Sequence, residues 1–127
     1  MMVGMPITIR FDRDEPMASV EFMIRGAAAD YAPAQTEAQE RSEMQPVLAS
    51  EEFKKLVAAV RSAFEQGLGD KKFEVVRVSG IVCHDVSVYR PGILLMLQER
   101  GREGTIAEKG RERITEIAEA VREKLGI

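Results

Sequence analysis

Five consecutive apolar residues, Ile93-Leu94-Leu95-Met96-Leu97, constrain this chain more than any other stretch. The run has the length of a strand and falls far short of the ~20 residues that cross a bilayer. Side chains alternate along an extended backbone, so Ile93, Leu95 and Leu97 take one face and Leu94 and Met96 the other. A strand with one wet face alternates apolar with polar residues, whereas this one needs a cover on both sides.

The surrounding pattern supplies only one cover. Ile7, Ile9 and Phe11 alternate with Thr8 and Arg10, and Val20, Phe22 and Ile24 repeat the period over Ser19–Arg25. The polar connection Asp12-Arg13-Asp14-Glu15-Pro16 suits a hairpin loop between them. Ser50 is a good N-cap, Glu51 and Glu52 complement the helix dipole, and Phe53, Leu56, Val57, Val60 and Phe64 recur at helical spacing. Gly67 and Gly69 are expected to stop that helix. Phe73–Asp85 is rich in valine and isoleucine and broken by Gly80, and Phe73–Tyr89 reads as one bent strand or two short ones, with the glycine the place for a bulge or bend. Ser87–Tyr89 and Ile93–Glu99 flank Arg90-Pro91-Gly92, and Pro91-Gly92 predicts a turn. Thr105 and Glu108 have capping-box spacing before a last helix with Ile106, Ile114, Ile117, Val121 and Leu125 on one side.

The expected fold is therefore α+β in the order ββαββα, a mostly antiparallel sheet with two helices on one face. Residues 1–127 form a single domain, a size that buries enough surface to fold without disulfides or metal. Residues 26–46 are rich in Ala, Gln, Glu, Ser and Pro with few anchoring side chains, and are expected to be a flexible crossover. Each half repeats ββα and both helices end in Leu-Gly, which a duplicated unit would leave and which two independently capped helices also produce.

Two helices on one face leave the second face to something else. The crossover at 26–46 could cover it, but a second subunit would do so better, so Leu94 and Met96 are the candidate interface, with a second copy of the chain the expected partner. Composition narrows the alternatives. With 18 basic and 21 acidic side chains the net charge is −3, which argues against a general nucleic-acid binder. A single cysteine excludes an internal disulfide and the common multi-cysteine zinc sites. No cofactor fingerprint is present, so no cofactor or metal is expected. The amino terminus resembles no signal peptide, and a cytoplasmic home is expected.

Three features carry chemistry worth weighing. Cys83-His84-Asp85 gathers a nucleophile, a base and an acid, as a small enzyme or ligand sensor would need, yet neighbours in a strand diverge to opposite faces. Gly101-Arg102-Glu103-Gly104-Thr105 opens the last helix, where amides can hold an anion, but it lacks a phosphate-loop Lys and carries acidic residues; a plain strand-to-helix turn explains it. Arg10, Arg25 and Arg77 can share a sheet face that an RNA-binding module would use, though stacking aromatics are missing from these strands. The leading expectation is a non-catalytic, self-associating accessory or scaffold protein.

Overall fold

The structure, a computed structural model, describes residues 7–24, 44–69, 71–85 and 88–127. Four strands, β1 (Ile7–Phe11), β2 (Met17–Met23), β3 (Phe73–Asp85) and β4 (Val88–Glu99), form one antiparallel sheet in the order β1-β2-β4-β3. A helical stretch at residues 44–48 (α1) precedes α2 (Glu51–Leu68), and α3 (Glu108–Leu125) closes the chain. The class is α+β as the patterning predicts. The expected count of two helices is corrected to three, because the last residues of the expected crossover already coil. Met44 and Leu48 give α1 the apolar anchors that the segment as a whole lacks: Met44 is fully buried and Leu48 packs on the core. Residues 26–43 of that crossover lie outside the described residues.

The helix-facing side is built rung by rung. Phe11, Ala18, Leu97 and Val75 share one rung, then Ile9, Val20, Leu95 and Val78, then Ile7, Phe22, Ile93 and Gly80. These side chains join Phe53, Val60, Phe64 and Leu68 of α2 and Ile114, Ile117, Ala118 and Val121 of α3 in one core. Gly80 is a matter of room rather than of bending, since a Cβ there would lie 2.7 Å from the Phe53 ring. The irregularity in β3 falls instead between Val75 and Arg77, where Val76 is the extra residue and stands exposed. The bulge reverses the alternation, turning Val78 inward and Arg77 outward.

The turn expected at Pro91-Gly92 is also corrected. β4 runs unbroken through both residues, pairing Pro91 with Val82 and Gly92 with Ile81, and the β3–β4 ladder closes at Asp85 opposite Val88. Proline is tolerated because of where β2 stops. Pro91 accepts from the Ile24 amide at 2.9 Å, so its nitrogen also faces β2, whose last ladder pair is Met23 with Gly92. Gly92 is required by packing: a Cβ there would overlap Cys83 Sγ and lie 3.0 Å from the Phe22 carbonyl oxygen.

The helix ends follow local chemistry. Ser50 Oγ accepts from the Phe53 amide at 3.2 Å, and Gly69 takes a left-handed φ of 65° to cap α2. The expected capping box at Thr105 does not form, because the residue preceding α3 is Ala107. Thr105 Oγ1 instead donates to the Asp12 carbonyl and accepts from Arg111 at 2.9 Å, tying the loop before α3 to the β1–β2 loop.

Candidate functional site

On the face away from α2 and α3, the register brings a second set of side chains together. Met17, Gln98 and Glu74 make one rung, followed by Arg10, Ser19, Met96 and Arg77, then Thr8, Glu21, Leu94 and Ser79. Met23, Gly92 and Ile81 follow, and Arg90 with Cys83 stands beyond them. Leu94 and Met96 thus occupy the middle of the face on a central strand, both half-buried. None of these residues belongs to the hydrophobic core on the other side. Met23 and Cys83 are buried, while Arg10 and Arg77 stand exposed at the two ends of the Met96 rung.

Cys83, His84 and Asp85 are contiguous in β3 but are not brought together as a reactive group. Cys83 lies on the second face against Gly92, whereas His84 points to the opposite side and stacks on Tyr89 with ring centroids 4.7 Å apart. Burial pushes the Cys83 thiol up to about 12, and the nearby Glu21 carboxylate, which accepts its proton in a hydrogen bond, pushes the same way. Such a thiol stays protonated at neutral pH and is a poor nucleophile. Asp85 ends the strand opposite Val88. Among the described residues, no group of three or more His, Cys, Asp or Glu side chains is placed to hold a metal ion.

The loop before α3 is a turn in form, with Gly101 at φ 71° and Gly104 at φ 81°. Arg102 there donates to the Thr105 carbonyl at 2.7 Å and stands 3.5 Å from Glu99. Glu99 is a residue the sequence reading missed. It is 5% exposed on the helix-facing side at the end of β4, with Lys72 3.6 Å away from its other oxygen. Its position after Leu95 and Leu97 at period two was the available signal. Both cations come from loops that wrap this sheet end, so the cluster joins the start of β3, the end of β4 and the entry to α3.

Of the three sheet arginines, Arg10 and Arg77 share the second face and one rung, and Arg25 lies outside the described residues. No described side chain on that face is aromatic. No described helix is long and apolar enough to cross a membrane. Comparison with family models, curated proteins and solved structures finds no match for this chain.

Proposed function

We propose that this chain is a non-catalytic, self-associating accessory or scaffold protein whose second sheet face is its subunit contact. One observation carries the reading: Leu94 and Met96 sit at the centre of a face to which α2 and α3 contribute nothing. Burying two such side chains against another surface is favourable by about 25 cal/mol per Å2 of apolar area removed from water. The flanking Arg10, Arg77, Glu21 and Ser79 give the patch the polar rim of a subunit contact. A second copy suits it because the face offers both a carboxylate and guanidinium groups, so one surface can complement itself.

Strands about 4.8 Å apart and same-face rungs about 6.7 Å apart make this at most roughly 500 Å2 of planar contact on each copy, about 1,000 Å2 in total, the range of weak or transient interfaces. Association is therefore expected in the micromolar range. The enzyme reading draws no support from a protonated Cys83 facing away from His84. Among the described residues, the second face offers an RNA-binding reading no rings on which bases could stack. Light scattering at micromolar concentration should report a dimer or larger species for the native chain. Met96→Glu should return it to a folded monomer, because a charge would be buried unpaired in an apolar contact. A native chain that stays monomeric as concentration rises contradicts the proposal.

A further inference from the structure

Resting on that reading, we infer the arrangement of the two copies: their sheets meet with strands antiparallel, about a two-fold axis that crosses the strands between Leu94 and Met96. Two face-to-face arrangements keep the strands of both sheets aligned under two-fold symmetry, and the side-chain map separates them.

With an axis parallel to the strands, each rung lies over the same rung of the other copy, in reverse order. Arg10 then falls on Arg77 of the partner subunit, twice over, and the Glu21 carboxylate falls on Leu94 of the partner subunit. Like charges are juxtaposed and an anion is set against an apolar side chain, both costly arrangements.

An axis across the strands reverses the rungs and keeps each strand over its own counterpart. The Arg10-Ser19-Met96-Arg77 rung then covers the partner's Thr8-Glu21-Leu94-Ser79 rung. Met96 meets Leu94 of the partner subunit, apolar on apolar. Ser19 lies over Glu21 of the partner subunit. Arg10, one strand to the side, reaches that same carboxylate, and symmetry makes the pair twice. Arg77 lies over Ser79 of the partner subunit, Glu74 at the outer edge lies over Ile81 of the partner subunit, and no rung places like charges on one another. The absence of juxtaposed like charges is what separates the two arrangements.

The β3–β4 ribbon tells the two arrangements apart. Its outer pair, His84 with Tyr89, lies beyond the last β2–β4 pair, Met23 with Gly92. Tyr89 is six residues from the proposed axis, about 20 Å along the strand, so antiparallel copies hold their ribbons about 40 Å apart. Copies related by an axis along the strands would hold them about 15 Å apart, on sheets about 10 Å from each other.

A spin label at His84→Cys, in a Cys83→Ala background that removes the native thiol, reads this distance by double electron–electron resonance. Both labels project away from the contact, so a main distance of about 40 Å or more supports the antiparallel arrangement, and one under about 30 Å overturns it while leaving self-association intact. Loss of any dipolar signal in a sample that scatters as a monomer overturns the self-association reading itself. A charge exchange gives an independent check. Arg10→Glu should weaken dimerisation about tenfold or more, and adding Glu21→Arg should restore it. Failure of the double variant to recover overturns the Arg10–Glu21 contact.

Discussion

The two faces of this sheet share every strand and differ in what they do with it. On the helix-facing side, Val20, Phe22, Ile93, Leu95 and Leu97 are fully withdrawn from water into one continuous core. On the other, Leu94 and Met96 from the same β4 stop at half-burial among Arg10, Glu21 and Arg77. Residues adjacent in sequence therefore have different duties, Leu95 in holding the monomer together and Met96 in the proposed contact. Apolar character at a position does not by itself say which.

Substitution at adjacent positions should break or sharpen that contrast. Leu95→Ala should have the largest effect, a loss of about 2–5 kcal/mol of unfolding free energy, because the cavity opens in a close-packed core. Met96→Ala should cost less, about 1–2 kcal/mol in monomer stability, since its side chain keeps part of its exposure to water. Urea unfolding of the two variants at high dilution gives both values. Equal losses would mean that the faces are packed alike.

Gly92 offers the next largest effect, and it runs through the second face. Gly92→Ala should destabilise by about 1–3 kcal/mol through overlap with Cys83 Sγ and crowding of the Phe22 carbonyl. Adding Cys83→Ala should recover part of that loss, so that the two changes are not additive. Simple additivity in a double-mutant cycle would show that Cys83 is not what excludes a side chain at position 92.

The effect that vanishes at neutral pH is a slope at high pH. The Cys83 thiol ionises near 9.0 in an ordinary environment and at about 12 in the folded chain. Its contribution to stability is thus fully present below pH 9, where both states keep the proton. It declines as pH rises from 9 toward 12, because the unfolded chain releases the proton first. Cys83→Ala should flatten that part of the stability profile. An unchanged profile would place the thiol in an environment like water.

Much of this architecture was legible in the residues, and the exceptions have physical causes. The alternations through Ile7, Ile9 and Phe11 and through Val20 and Phe22, the Ser50 cap, and the stripes of α2 and α3 are local patterns that burial preserves. Pro91-Gly92 misleads because its local chemistry is that of a turn. Its acceptance in β4 depends on where β2 ends and on a sulfur atom from β3, facts that no neighbouring residue encodes. The bulge at Val76 hides the face of every later β3 residue, since one extra residue reverses the alternation. Thr105 has the spacing of a cap but bonds to Asp12, ninety-three residues away. The candidate site was half legible. Leu94 and Met96 announced a second apolar face, while its charged frame of Arg10, Glu21 and Arg77 emerges only from the pairing of β2 with β4.

The most direct test of the second face as a subunit contact is the concentration dependence of thermal unfolding. Association that involves only the folded chain stabilises it by mass action, so the Tm of the native protein should climb by several degrees between about 1 and 100 μM. The Tm of Met96→Glu should stay constant over the same range. A native Tm independent of concentration, or an equal climb in Met96→Glu, would contradict the assignment of this face.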